Sequence, residues 1–331
     1  MADAERSETR EFLELLRAGG RFVLTTHVHP DADGIGSELA LAHLVRACGA
    51  EARVVNRDPV PGVLAFLDGD GLIEVYDAPR HDAVIAAAEG LICLDNSEPG
   101  RLAEMEGPVR GARGRKVAID HHPEPDASWD ILIVREDASS TAEVVMELLR
   151  AARVPLGPEV ARVLYAGLVS DTGRFRFANT SAGAFRMAAD LVAAGASPPL
   201  LHGKLEERLS APFLRLMGRM LCEADLRVDG RLIVLRVPPV AHPGQLEWDD
   251  MSEVINEALR LDGSRLAVLF REIEGGRTKV SLRSKGPLDV NRLARQHGGG
   301  GHRNASGLVL RESIDAAAAR LLPELERLAR T

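Results

Sequence analysis

Short apolar segments of β-type composition recur through the first 134 residues of the chain, separated by helix-like or loop segments. The predicted strands are Arg21–Thr26, Ala52–Asn56, Leu91–Asp95, Lys116–Asp120 and Asp130–Val134. Predicted helices lie at Ser37–Cys48, Ser139–Ala152, Pro158–Ser170, Thr180–Ala194 and Pro198–Leu209. Because strands that alternate with helices usually pair in parallel, this order predicts an α/β domain with a largely parallel sheet flanked by helices.

The pattern changes after residue 209. We predict a first domain over residues 1–209, a linker helix over 210–222 and a smaller α/β domain over 223–331. The predicted strands of the smaller domain are Ala224–Val228, Arg231–Val237, Arg265–Ile273 and Thr278–Arg283, and its predicted helices include Gln245–Leu261 and Asp289–Gln296. A chain of this length can bury a separate core in each domain.

Composition excludes several classes of protein. No apolar run approaches the ~18 residues that a membrane-spanning helix needs, and the charged start of the sequence does not resemble a secretory signal. The three cysteines, Cys48, Cys93 and Cys222, are far apart, which is typical of reduced thiols. We therefore expect a soluble cytoplasmic protein without membrane partners.

Charge is distributed unevenly along the chain. The net charge of −8 disfavours tight binding to long duplex nucleic acid. Residues 271–303, however, contain 8 basic and 3 acidic side chains. An acidic first part and a later basic patch indicate a cation site in the first domain and an anion site in the second.

The segment from His27 to Ser37 follows the first predicted strand and holds one imidazole and two carboxylates, at His27, Asp31 and Asp33. Carboxylates this close repel one another unless a cation neutralises them, and histidine with aspartate suits Mn²⁺ or a similar divalent ion. The alternative is a polar turn in which Ser37 is the N-cap of the following helix.

Three later apolar segments also end in ligand-type residues. Asp95 ends one predicted strand, Asp120-His121-His122 ends another, and Asp171 ends a predicted helix. Each of these alone is explained by a turn or a helix cap. Four such endings in one chain favour a shared site.

These motifs resemble those of the DHH phosphoesterases, including the triplet that names the family. The later segment Gly298–Gly307 is similar to the glycine-rich signature of the DHH-associated C-terminal domain. The resemblance covers nearly the whole chain, and the layout is most similar to the subgroup of NrnA-type oligoribonucleases and pAp phosphatases.

The resemblance implies a set of metal ligands and their roles. One divalent ion would be held by His27, Asp31 and Asp95, and the other by Asp33, Asp95, His121 and Asp171, so that Asp95 bridges the two. Asp120 would orient an imidazole, and His122 would face the substrate phosphate. We expect Mn²⁺, with Mg²⁺ and Co²⁺ as alternatives, and two-metal hydrolysis of a phosphate ester.

The basic patch supplies the expected anion site. Period-two alternation places Lys279, Ser281, Arg283 and Lys285 on one face of a strand. The resemblance implies that Arg283 and Ser284 bind phosphate, that Arg271 assists, and that Gly300, Gly301 and His302 contact a terminal phosphate or base. The alternatives are a solvated sheet face and a flexible glycine loop.

These features predict an enzyme that hydrolyses short RNA or DNA oligonucleotides to mononucleotides and pAp to AMP. Cyclic or linear di-AMP is an alternative substrate. A nucleotide-binding regulatory module without catalysis is an alternative of another class, although none of the implied ligands is missing. The sequence leaves the oligomeric state open, a homodimer included.

Overall fold

A computed structural model describes residues 7–123, 125–207, 209–238 and 250–331. The chain divides into two compact units, Met1–Arg208 and Leu209–Thr331. Among the described residues, no helix is long and apolar enough to cross a membrane.

The first unit is built on a sheet of six parallel strands in the order β3-β2-β1-β4-β5-β6. The strands are β1 (Arg21–Thr25), β2 (Glu51–Asn56), β3 (Ile73–Val75), β4 (Gly90–Leu94), β5 (Arg115–Asp120) and β6 (Ile131–Val134). The predicted parallel α/β architecture is confirmed. Strand order reverses between β1 and β4, and ligands commonly bind at the carboxyl ends of the strands beside such a point.

Helices cover both faces of this sheet. They are α1 (Ser7–Arg17), α2 (Ala32–Ala47), α3 (Ala78–Ala86), α4 (Glu106–Gly111), α5 (Thr141–Ala152), α6 (Pro158–Asp171), α7 (Ala182–Ala193) and α8 (Pro198–Leu205). Alternate residues of β4 point to opposite cores: Ile92 and Leu94 pack on one side, and Leu91 and Cys93 on the other. Burial on both faces explains why this strand is apolar throughout.

Helix α2 begins five residues earlier than the sequence predicts, and Ser37 is not its N-cap. Asp31 caps the helix, because its Oδ1 accepts hydrogen bonds from the backbone N–H groups of Asp33 (2.9 Å) and Gly34 (3.1 Å). Asp33 and Ser37 therefore lie inside the helix, one turn apart, and both are buried.

The second unit contains a mixed sheet in the order β11-β12-β10-β9-β8-β7. Its strands are β7 (Asp225–Arg227), β8 (Leu232–Arg236), β9 (Leu266–Ile273), β10 (Arg277–Ser284), β11 (Gly300–His302) and β12 (Ala305–Leu310). Its helices are α9 (Ala211–Cys222), α10 (Asp250–Ala258), α11 (Val290–Gln296) and α12 (Ile314–Arg330). Residues 245–249 of the predicted helix Gln245–Leu261 lie outside the described residues.

Helix α9 and strand β10 pack into separate cores of this unit. Helix α9 buries Phe213 and Met220 in the same core as Ile233 of β8, so the predicted linker helix packs within the second unit. Val280 and Leu282 of β10 pack into a core of this unit that is separate from the one holding Phe213. This confirms the prediction that the apolar residues of β10 alternate with its basic residues.

Candidate metal centre

The loops that follow β1 and β4 bring His27 and Asp95 together. Val28 O lies 2.8 Å from His27 Nδ1, so this nitrogen donates a hydrogen bond to the carbonyl and Nε2 carries the lone pair. That Nε2 faces Asp95 Oδ2 at 3.4 Å. Both side chains are buried, so an imidazole nitrogen and a carboxylate oxygen face one another away from water. This arrangement fits a cation between them.

Asp33 reaches the same place from the first turn of α2. Its carboxylate accepts hydrogen bonds from the backbone N–H groups of Thr141 (2.7 Å) and Ala142 (2.9 Å) at the start of α5. A helix N-terminus is a favourable partner for a negative charge because its first N–H groups point outward. The carboxylate is completely buried and held in one orientation.

The turn after β5 arranges the Asp120-His121-His122 triplet. Asp120 Oδ1 accepts hydrogen bonds from the backbone N–H of His121 (2.8 Å) and from His122 Nδ1 (2.8 Å). Asp120 therefore fixes the ring of His122. His121 Nε2 lies 3.3 Å from Asp171 Oδ2 at the end of α6 and 3.8 Å from Asp95 Oδ1.

Three groups of side chains present ligand atoms within 4.8 Å of one another. The groups are His27 with Asp31 and Asp95, Asp33 with His121 and Asp171, and Asp95 with His121 and His122. The first group is the first ligand set implied by the resemblance, and the second group is the other implied set without Asp95, which occurs in the first and third groups. The structure thus brings all six predicted ligands together, and their binding of metal stays a prediction.

The charges of this centre are unbalanced. Burial, followed by the neighbouring Asp95 carboxylate, raises the pKa of Asp33 and that of Asp171 well above the usual range. His121 Nε2 is buried and makes no hydrogen bond to any described residue. Cations would satisfy the bare imidazole nitrogen and separate the carboxylates. Oxygen and imidazole donors without a thiolate suit Mn²⁺ or Mg²⁺.

The predicted anion-binding residues lie on three strands of the second sheet, β9, β10 and β11. In the β9–β10–β12–β11 register, Arg283 pairs with Ala305, and Ala305 pairs with His302 on its other side. Arg283 and His302 therefore lie in one row with only a small side chain between them. Gly300 and Gly301 are in β11, so the predicted glycine loop is partly a strand.

Arg271, which was predicted to assist Arg283, is not in that row. It lies opposite Lys279, four residues along β10 from Arg283. Burial lowers the pKa of Arg283, and its Nη1 donates a hydrogen bond to the carbonyl of Leu282 at 3.0 Å. Ser284 Oγ donates to Leu288 O at 2.7 Å, so this hydroxyl also holds the loop before α11.

Sequence reasoning missed several uncharged residues of the centre. Thr141 Oγ1 donates to Asp95 Oδ1 at 2.9 Å, and the Asn179 amide donates to the carbonyls of Ser139 (2.8 Å) and Asp171 (3.0 Å). The Ser-Ser-Thr sequence before α5 is typical of a helix N-terminus and could have indicated a carboxylate partner. No sequence signal indicates Asn179.

Comparison with known proteins places this geometry in a family. Residues 21–168 match the DHH family, N-terminal domain, and residues 229–330 match the DHHA1 domain. A bifunctional oligoribonuclease and PAP phosphatase NrnA of Thermus thermophilus is 34% identical over 311 residues, which cover 93% of this chain and 90% of that protein. The chain belongs to the DHH family.

Two further DHH-type relatives extend along the whole chain. A bifunctional oligoribonuclease and PAP phosphatase NrnA of Bacillus subtilis is 30% identical, over 96% of this chain and 97% of its own. The crystal structure of an exopolyphosphatase-related protein from Bacteroides fragilis superposes with a TM-score of 0.93 at 26% identity and covers 100% of both chains. The resemblance drawn from the motifs is therefore confirmed.

The DHH centre depends on a close approach between α6 and α2. A Cβ atom added at Gly167 would lie 2.7 Å from Asp33 Oδ1 and 3.1 Å from Ala142 Cβ. Gly167→Ala is therefore expected to displace the Asp33 carboxylate from the start of α5 and to lower kcat by roughly tenfold or more. Gly218→Ala, on an open face of α9, is the control. Unchanged steady-state rates for Gly167→Ala would contradict the placement of Asp33.

A buried carboxyl lies beneath the centre. Glu38 accepts a hydrogen bond from Asn56 Nδ2 at 2.8 Å, and Asn56 Oδ1 in turn accepts one from the backbone N–H of Thr26 at 3.1 Å. Burial raises the pKa of Glu38 to about 8, against the opposing effect of the Asn56 bond. The folded protein therefore holds a proton on Glu38 that the unfolded chain releases above the ordinary pKa of 4.5.

This proton makes stability depend on pH. Since the folded state binds more protons than the unfolded state, the free energy of unfolding should fall as pH rises from about 5 to 8. Glu38→Gln keeps the hydrogen-bond acceptor but carries no charge. It should therefore lack the decrease in the free energy of unfolding, up to about 4 kcal/mol, that the parent shows at pH 8. Urea unfolding of the parent and the variant at pH 5 and pH 8 measures this difference in the free energy of unfolding. The same pH dependence in the variant and the parent would rule out this role for Glu38.

Proposed function

We propose that this protein is a metal-dependent phosphoesterase that hydrolyses very short oligonucleotides to mononucleotides and converts pAp to AMP. The observation that carries the proposal is the convergence of His27, Asp31, Asp33, Asp95, His121 and Asp171 at one edge of the first sheet. The substrate class is that of the relatives from Thermus thermophilus and Bacillus subtilis, which are bifunctional oligoribonucleases and PAP phosphatases.

The six converging side chains would hold two divalent cations, with Mn²⁺ expected and Mg²⁺ or Co²⁺ as alternatives. When bound, such a pair supplies an activated water and neutralises charge on the phosphoryl oxygens. Asp95 would contribute to both, because its Oδ2 faces His27 and its Oδ1 lies toward His121 and His122.

The protein's other residues fix the donors before substrate arrives. Thr141 orients one oxygen of Asp95, and the start of α5 fixes Asp33. Asp120 holds the ring of His122, which we propose contacts the substrate phosphate. The shared hydrogen bond with Asp120, helped by the nearby Asp95 carboxylate, outweighs burial and raises the pKa of His122 to about 9. Preorganised donors of this kind stabilise charge without rearrangement during the reaction.

The second unit would bind a phosphate of the substrate other than the one that is hydrolysed. Arg283 and His302 lie in one row of the sheet with only Ala305 between them, and a guanidinium and an imidazole in one row suit a phosphate. A substrate with few phosphates needs only such local neutralisation, which agrees with a net charge of −8.

A substrate panel tests the proposal. Purified protein with Mn²⁺ is incubated with pAp, a dinucleotide, a pentanucleotide and cyclic di-AMP, and products are separated by chromatography. We expect mononucleotides from the dinucleotide and AMP from pAp, at rates above those for the other two. Faster cleavage of cyclic di-AMP would assign the alternative substrate, and binding of nucleotides without any turnover would assign a regulatory module.

A further inference from the structure

The loop that follows Asp171 has an unusual backbone. Gly173, Arg174 and Phe175 are consecutive left-handed residues, with φ of 54°, 62° and 62°. Left-handed conformations are costly for residues other than glycine and persist only when surrounding contacts impose them. Two adjacent non-glycine residues hold this conformation beside the candidate metal centre, which indicates that the loop has a functional role.

Contacts at both ends hold this loop in place. Phe175 stacks on Phe185 with ring centroids 5.1 Å apart, and Thr172 Oγ1 accepts a hydrogen bond from the backbone N–H of Phe175 at 3.2 Å. At the other end, the Asn179 side chain donates to the carbonyl of Asp171. The loop is therefore attached directly to a predicted metal ligand.

The fixed loop turns one aromatic ring outward. A Cβ at Gly173 would lie 2.4 Å from the Phe177 ring, so the ring rests on a glycine two residues from Asp171. Phe177 is 46% exposed, although the neighbouring Phe175 packs against the core. The tight turn thus packs one phenylalanine partly against the core and exposes the other.

A guanidinium accompanies this ring. Arg176 Nε donates to the carbonyl of Gly173 at 2.9 Å, which anchors the exposed Arg176 side chain on the same turn. In the described part of the chain, no carboxylate forms an ion pair with Arg176. An aromatic face with an adjacent cation matches a nucleobase and the phosphate attached to it.

We propose that Phe177 is a stacking platform for the nucleobase of the substrate, with Arg176 contacting the adjoining phosphate. This inference rests on the proposed function. It adds that the first unit recognises the nucleobase and its adjoining phosphate. Because every base has an aromatic face, such a platform accepts short oligonucleotides of any sequence. It contributes to substrate binding and leaves the reacting atoms untouched.

The test compares Phe177→Ala, Phe177→Leu and Phe177→Trp, with Leu200→Ala as a control on an exposed apolar side chain elsewhere in the first unit. Each is mixed with Mn²⁺ and a 2-aminopurine dinucleotide in a stopped-flow instrument, so that fluorescence quenching reports stacking before hydrolysis. A dinucleotide lacking the stacked base is the second substrate in each case.

We expect Phe177→Ala and Phe177→Leu to abolish the quenching and raise KM for the dinucleotide about tenfold. The change in KM for the abasic substrate should be much smaller, and Phe177→Trp should behave like the parent. Retained quenching, equal losses on both substrates, or full activity of Phe177→Leu would overturn the proposal while leaving the enzyme's function intact. A parent protein that hydrolyses neither substrate would overturn the proposed function, and this inference with it.

Discussion

Asp95→Asn is expected to lower the turnover of a dinucleotide by more than about a hundredfold while the protein stays folded. Loss of a residue that merely orients a metal ligand costs about ten- to a hundredfold, and Asp95 would itself serve two cations. The amide can still accept the hydrogen bond from Thr141 Oγ1, so the local structure should survive. The measurement is kcat with saturating Mn²⁺, accompanied by a melting curve.

A matched control separates charge loss at the centre from charge loss in general. Asp190→Asn also removes one carboxylate from the first unit, but Asp190 forms an exposed ion pair with Arg150. Such pairs contribute little to stability, so this variant should match the parent. If Asp95→Asn keeps most of its rate, Asp95 does not bridge two cations.

Arg283→Ala should raise KM for a dinucleotide by roughly one to two orders of magnitude and reduce kcat much less. A hydrogen bond to a charged group contributes about 1.5–3 kcal/mol, which converts to that range of affinity. The guanidinium lies in one row with His302 on the sheet of the second unit, where we propose a phosphate binds. Steady-state kinetics with the dinucleotide and with bis-p-nitrophenyl phosphate provide the readout.

The two substrates distinguish substrate binding from a structural role. Bis-p-nitrophenyl phosphate has only the phosphate that is hydrolysed, so its KM should change far less. Arg277→Ala removes an exposed guanidinium from the same strand and is the control. Equal losses of Arg283→Ala on both substrates would assign Arg283 to the fold, and no loss on either would show that it lies on a solvated surface.

The positions of the charged ligands were predictable because parallel strands end at one edge of a sheet. Once β1, β4 and β5 were recognised as strands, His27, Asp95 and Asp120 had to lie near one another. Asp31 was predicted as a metal ligand, but its role as the cap of α2 was not predicted, because a side chain that caps a helix has the same sequence pattern as one that binds an ion.

The uncharged part of the centre was not predictable. Thr141 bonds Asp95 across 46 residues, and Asn179 bonds the carbonyls of Ser139 and Asp171 across 40 and 8 residues; no local sequence pattern records such contacts. Strand β3 was missed because its three residues are only partly buried and lack an apolar run. In the second unit, the row that joins Arg283 to His302 required the register of three strands, and residue composition does not fix a register.

One cluster of side chains in the first unit is proposed to bind two divalent cations. Protein stripped of metal and titrated with Mn²⁺, with free Mn²⁺ followed by electron paramagnetic resonance, tests it most directly. We predict two bound Mn²⁺ per chain in the parent, recovery of dinucleotide hydrolysis with the same titration, and loss of tight binding in Asp95→Asn. No bound Mn²⁺, or full hydrolysis by protein shown to be free of metal, would contradict the proposal that this centre binds two catalytic cations.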